Sequence, residues 1–268
     1  MTGAWASGVG LPSWHRSRHM VQRNLLVYKH TWMVIFTGFF EPVFYLLGIG
    51  LGMGALVSSV DGISYVSFVA PGLLAASCLN GALTDGCFNI WFKLHFMKTY
   101  DGILATPMRV PDVAFGEMLW AVTRGSIYAG CFLIVLLVVG AITGRPVLLS
   151  PLAIFAFPAA VLAATSFSAL FVCITTFVRK LGDFDIVVGL AVMPMFLFSG
   201  TFFPVSRVPL IPRIVIECLP LYHGTAMLRQ LTTGAVDWTF ALHVGYLVVL
   251  GVTAFAVAMH RLERALIK

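Results

Sequence analysis

Charge is what this sequence has least of. Only 10% of its 268 residues are Asp, Glu, Lys or Arg, against about 25% in an ordinary soluble domain. So few charges could not cover the surface of a water-soluble fold of this length. No glycine precedes a lysine anywhere, so the phosphate-cradling pattern GxxxxGK[ST] is missing. HExxH and GxSxG are missing too, which removes the simplest zinc-protease and serine-hydrolase readings. The five cysteines (Cys78, Cys87, Cys131, Cys173, Cys218) stand singly and mostly inside apolar runs, with neither a CxxC pair nor metal-ligand spacing. They read as small buried side chains, and no metal site is expected. The formal net charge of +6 comes without a basic run interleaved with aromatics, so nucleic acid is not an expected partner.

What is present is apolar length. Hydrophobic residues make up 59% of the chain, and the mean hydropathy is +0.95. A helix needs roughly 20 apolar residues to cross a bilayer. The runs predict an all-α membrane protein with six spans, near Trp32–Leu56, Tyr65–Phe92, Leu119–Ile142, Pro151–Val178, Phe184–Phe203 and Trp238–His260. The first run follows a polar stretch without a small-residue cleavage site, so no cleavable signal peptide is expected. Twelve basic residues fall on one side of these spans: Arg16, Arg18, Arg23, Lys29, Lys93, Lys98, Arg109, Arg179, Lys180, Arg261, Arg264 and Lys268. Four fall on the other (Arg145, Arg207, Arg213, Arg229), and Arg124 lies inside the third span. Basic residues favour the cytoplasmic side, so both termini are expected there.

Ahead of the first span, Trp14, Val21, Leu25, Tyr28 and Trp32 recur at helical spacing, with Arg16, Arg23, Lys29 and His30 on other faces. This predicts an interfacial helix within residues 1–31, apolar face in lipid, the alternative being a polar tail. The stretch 204–237 is too apolar for a solvated loop and is broken by Pro204, Pro209, Pro212 and Pro220. It predicts a re-entrant hairpin on the outer side, before the last span.

Charges inside spans are costly and usually functional. Glu41 lies in the first span ahead of Pro42, which should kink or break the helix. Its carboxylate is either a polar group in a cavity or a structural anchor. Asp85 and Arg124 are placed near the cytoplasmic interface, to pair or to reach water; the other reading is a relay. Gly48 with Gly52, and Gly50 with Gly54, form two i,i+4 grooves for close helix packing, with a partner helix from this chain or another. Ser166 and Ser168 have no ionisable neighbour in sequence that could activate them.

Between the second and third spans lies "TYDGILATPMRVPDVAFGEML". Tyr100, Ile103, Leu104 and Met108 recur at three or four residues, a short turn of helix stopped by Pro107. Pro111 opens another turn leading into the third span. The segment is either an ordinary interfacial loop or a docking knob for a soluble partner.

Together with "EPVFYLLGIGLGMG" (41–54), "YVSFVAPGLLAAS" (65–77), "MPMFLFSGTFFPVSRVP" (193–209) and "LPLYHGTAMLRQLTTG" (219–234), this segment resembles the ABC-2-type exporter permeases. The likeness is greatest to permeases of nodulation-factor (lipo-oligosaccharide) export and looser to daunorubicin-resistance permeases. It runs through nearly the whole chain in order. The resemblance implies a six-span domain over 32–268 with a coupling helix at about 99–107. It implies two copies of a separate ATPase subunit that binds Mg-ATP, no cofactor in this chain, and a second permease, identical or homologous. The site would be a bacterial cytoplasmic membrane. It assigns coupling to Tyr100, Asp101, Ile103, Leu104, Thr106 and Pro107, although Asp101-Gly102 stands where relatives often carry a longer side chain. It assigns protomer packing to Gly48, Gly50, Gly52, Gly54, Met193 and Phe196. Glu41, Phe196, Phe198, Phe202 and Phe203 are candidates for the path of an amphipathic cargo, lipid-, oligosaccharide- or drug-like; packing is the other reading of the aromatics. The rival is a proton-driven secondary transporter using Glu41 or Asp85, and a third possibility is a structural anchor. Paired broken helices in two similar halves would mark the rival, and no internal repeat is visible.

The charge asymmetry gives a direct expectation. A reporter that is active only outside the cytoplasm should stay silent when fused after Lys268; activity there would reverse the orientation.

Overall fold

The computed structural model describes residues 12–29, 32–57 and 59–266. Of the expectations above, His30, Lys268 and residues 1–11 of the N-terminal segment lie outside them. The chain is almost wholly helical. In order come α1 (Trp14–Lys29), α2 (Trp32–Tyr45), α3 (Gly52–Leu56), α4 (Tyr65–Leu83), α5 (Ile90–His95), α6 (Thr99–Leu104), α7 (Val110–Thr143), α8 (Ala156–Thr175), α9 (Asp183–Ile186), α10 (Met193–Phe198), α11 (Leu210–Glu217), α12 (Pro220–Thr233) and α13 (Thr239–Leu266). A two-residue antiparallel hairpin, β1 (Ser59–Val60) and β2 (Ile63–Ser64), turns α3 into α4.

Among the described residues, four helices are long and apolar enough to cross a membrane: Tyr65–His95, Val110–Thr143, Pro151–Thr175 and Thr239–Arg264. The expected first span is helical from Trp32 to Leu56, the expected fifth is helical from Asp183 to Phe198 and stops short of Phe203, and each contains a widened π turn, Leu46–Leu51 and Val187–Val192. A third π turn, Thr84–Asn89, joins α4 to α5. The break expected at Pro42 is absent: α2 runs through it to Tyr45, and the ladder widens only afterwards.

The ends follow local chemistry. Ser64 caps α4 by accepting from Ser67 N–H at 3.2 Å. Asp112 Oδ2 accepts from Arg109 N–H at 3.2 Å at the start of α7, where Pro111 needs no partner. Gly144 and Gly234 end α7 and α12 with φ of 64° and 82°, which glycine adopts without strain. α7 starts well before the predicted Leu119. Its first turns look too polar to join a span, but their acids are neutralised within the fold, as described below.

α4 is the centre. Nearly all of its residues are buried, against α7, α8, α12 and α2. The closest approach is backbone to backbone. A Cβ on Gly81 would lie 2.6 Å from the Gly125 Cα on α7. Gly116 likewise lets α1 onto α7, since its Cβ would lie 2.6 Å from the Met20 Cβ. α1 packs by Ser17, Met20 and Asn24, while Trp14 and Leu25 stay exposed as an interfacial helix requires. Tyr28 departs from the expected lipid face: it turns inward, toward charged groups that need its hydroxyl. The 204–237 stretch forms α11 and α12. The first is exposed along Leu210, Ile211, Ile214 and Val215, and the second is packed into the core through Leu221, Met227 and Leu228.

The glycine contact is directly testable. Gly81→Ala forces two backbones apart with no side chain able to yield. It should cost about 1–3 kcal/mol and lower the melting temperature in detergent, whereas Gly102→Ala, beside open space, should not.

Candidate functional site

α7 carries three charged groups in its first half that an apolar helix would reject alone, and each is matched from a different element. Asp112 pairs with Arg16 of α1 at 3.1 Å. Glu117 pairs with Lys93 of α5 at 2.7 Å. Arg124 pairs with Asp85 of the π turn at 3.2 Å, both side chains 2% exposed. Hydrogen bonds complete each pair, the condition for tolerating buried charge. Asp112 also accepts from Ser13 N–H at 2.6 Å, and its backbone carbonyl accepts from Ser17 Oγ at 2.9 Å.

The Glu117 carboxylate is the densest knot. Lys93 Nζ donates to both of its oxygens, at 2.9 and 2.7 Å. Asn24 Nδ2 of α1 donates to it at 3.2 Å, and the hydroxyl of Tyr100 in α6 donates at 3.2 Å. One carboxylate therefore fastens α1, α5, α6 and α7 together. Burial and the Glu117 charge hold the Tyr100 phenol well above its usual value, so it remains a donor.

One layer deeper, Tyr28 is a hub. Its hydroxyl donates to Asp85 Oδ1 at 3.2 Å and accepts from Arg124 Nη1 at 3.4 Å. Asn89 Nδ2 donates to Asp85 and to Tyr28. Arg124 Nε donates to the Tyr128 hydroxyl at 3.0 Å. Of the two readings of Asp85 and Arg124, the pairing is the one seen, and neither reaches water.

α6 hangs from this knot. Lys98, in the left-handed region at φ 45°, turns the chain into it. Tyr100 is 2% exposed, which corrects its expected place as a surface contact: its hydroxyl is held inside by Glu117. Ile103 and Leu104 are half-buried against the cluster around Val110 and Val113. Asp101, Thr106 and Pro107 are exposed. Thr106 Oγ1 donates to the Ile103 carbonyl at 2.6 Å, ending the turn. Beside them stand Phe96 and Met97, 71% and 65% exposed, to which sequence reasoning gave no role.

The membrane-level candidates divide. Glu41 is exposed on the surface of the chain and accepts from Asn80 Nδ2 of α4 at 3.1 Å. Phe196 packs between Tyr45 and Phe202, ring centroids 5.1 and 5.3 Å away, tying the expected fifth span to the first. Phe203 is half-buried and Met193 exposed. Phe198 lines an apolar groove of about 650 Å³ with Leu170, Ile174, Leu190, Met195 and Val215. A Cβ on Gly54 would lie 3.7 Å from Val66 of α4, whereas one on Gly48 or Gly52 would meet none of the described residues within 4 Å beyond its own helix. Ser166 Oγ donates to the Leu247 carbonyl at 2.7 Å, a helix-to-helix tie.

Sequence reasoning missed Lys93, Glu117, Asn24 and Asn89. The available signal was complementary charge at the same depth of neighbouring apolar runs. Among the described residues, no group of three or more His, Cys, Asp or Glu gathers to hold a metal.

Comparison of the sequence with known proteins identifies a family. The family model described as ABC-2 type transporter matches residues 16–232. Nodulation protein J of Rhizobium leguminosarum bv. viciae is 30% identical over 248 residues, 92% of this chain and 93% of that protein. Nodulation protein J of Rhizobium meliloti (strain 1021) is 30% identical over 246 residues, 91% and 92% of the two chains. That of Bradyrhizobium diazoefficiens is 27% identical over 248 residues, 92% of each. An apolar helical bundle and a match running through all but its two ends make the chain a membrane component of the ABC-2 type transporter family.

Proposed function

We propose that this chain is the permease subunit of an ATP-driven exporter of an amphipathic molecule. Force would enter at α6 from a separate ATPase. The observation that carries this is the mounting of α6: a short helix with exposed Asp101, Thr106 and Pro107, flanked by bare Phe96 and Met97, and fastened by Tyr100 to the Glu117 knot. A push on α6 would reach α1, α5 and α7 at once. The chain has no phosphate loop, so Mg-ATP would be bound and hydrolysed by the partner, in two copies.

In this proposal the first and fifth spans complete six crossings, the termini and α6 lie in the cytoplasm of a bacterium, and 204–237 forms the outer hairpin. A second permease would cover Gly48, Gly52 and Met193, which none of the described residues covers. The cargo would pass between protomers by Glu41 and the Phe196–Phe202 aromatics, its apolar part against Phe198. The relatives' name, nodulation protein J, suits an exported lipo-oligosaccharide. Glycolipids and hydrophobic drugs suit the same surfaces. The proton-driven reading loses support at Asp85, whose carboxylate is already taken by Arg124, Tyr28 and Asn89.

The test is copurification and coupling. A Walker-motif protein encoded beside this chain should copurify with it, and Met97→Asp combined with Thr106→Asp should abolish that. Tyr100→Phe should leave the ATPase bound, while transport per ATP falls, because one hydrogen bond to a buried charge, worth roughly 1.5–3 kcal/mol, no longer ties α6 to α7. Full transport by the chain alone, in ATP-free vesicles carrying a proton gradient, would sink the proposal.

A further inference from the structure

At the end of the bundle remote from α6, α12 and α13 meet through two imidazoles. Nδ1 of His223 lies 2.8 Å from Nδ1 of His243. The His223 ring lies flat on Tyr246, with 3.8 Å between centroids and 17° between planes. Tyr222 meets both imidazoles edge-on, at 5.4 and 5.8 Å. His243 is buried, and Nε2 of His223 is shut off from water.

Two ring nitrogens at this distance need one proton between them, given by one and accepted by the other. A second proton would set N–H against N–H and put two positive charges in a poorly hydrated site. We propose that the pair is a proton-operated latch between the hairpin helix and the last span, closed near neutral pH and opened when acid adds the second proton.

The charged groups acting on the pair come from two places. Glu217, at the end of α11, favours a protonated His223, and Asp237 stands ahead of α13. Each is already committed. Arg213 Nε donates to Glu217 at 2.7 Å. Asp237 accepts from Thr239 N–H at 2.9 Å and from Gln230 Nε2 at 3.2 Å. α4 and α8, packed on other sides of α12, bring no charged group into the field of the pair. The carboxylates therefore help the pair carry one proton but do not accommodate two.

The direction in pH follows. Burial, with His243 alongside, holds His223 down to about 4, against about 6.5 for a free imidazole. A histidine lowered on packing contributes stability that is complete above about 6.5 and is lost as pH falls toward 4. Allowing for screening at a half-exposed ring, the closed arrangement should lose on the order of tenfold of its advantage between about pH 7.5 and about pH 5.

The experiment is hydrogen–deuterium exchange of the full chain in lipid nanodiscs at those two pH values, corrected for the intrinsic pH dependence of exchange. Protection of Pro220–Thr233 should fall on the order of tenfold in acid. His243→Gln should flatten that response, because its amide can donate to a neutral His223 or accept from a charged one. His223→Phe, which keeps the ring on Tyr246, serves the same purpose if the first variant does not insert. Unchanged wild-type protection, or an equal acid loss in the variants, would overturn the latch. The readout needs neither an ATPase nor a cargo, so it stands or falls apart from the transport proposal.

Discussion

Charge buried in an apolar helix must be answered by charge and hydrogen bonds from its neighbours, and the half of this fold nearest α6 is arranged around that constraint. Removing one partner of a buried pair costs about 3–5 kcal/mol, whereas the intact pair adds little net stability. Asp112, Glu117 and Arg124 therefore do less to hold α7 up than to dictate which elements must sit beside it. α1, α5 and the Thr84–Asn89 turn each supply one opposite charge. Tyr28 and Asn24 follow, because lone pairs and protons left over at those charges also need partners.

The constraint joins fold to function. In the proposed transporter α6 receives force from outside, and such a helix must be attached firmly at one end and bare at the other. α6 has its attachment at Tyr100 and its bare face at Asp101, Thr106 and Pro107. Farther into the bundle the tie is steric, where Gly81 and Gly125 bring α4 and α7 to backbone contact. In the proposed transporter, displacement at α6 would thus meet a stiff assembly, and the Gly48 and Gly52 face would be left for another backbone.

Much of this was legible in sequence. Apolar length placed the spans Tyr65–His95, Pro151–Thr175 and Thr239–Arg264 to within a few residues, because lipid imposes a minimum run. Pro107 and Pro111 marked the elbow correctly. The start of α7 was misplaced because hydropathy judges each residue as if it stood alone, while Asp112 and Glu117 are neutralised by Arg16 and Lys93 from distant parts of the chain. Tyr28 and Tyr100 were given outward faces for the same reason: helical spacing shows which residues share a face, not what that face meets. The His223–His243 contact joins residues on two helices that sequence leaves without any relative orientation.

Among the described residues three π turns lie in the expected first, second and fifth spans: Leu46–Leu51, Thr84–Asn89 and Val187–Val192. A π turn stores a surplus residue within an otherwise regular ladder. When such a turn tightens to α geometry, everything beyond it slides by about 1.5 Å and swings by about 100°. α7, α8 and α13 contain no such turn among their described residues. The bundle is thus built of helices that can change register and helices that cannot, and at Thr84–Asn89 the change would have to carry Asp85 out of its bond with Arg124.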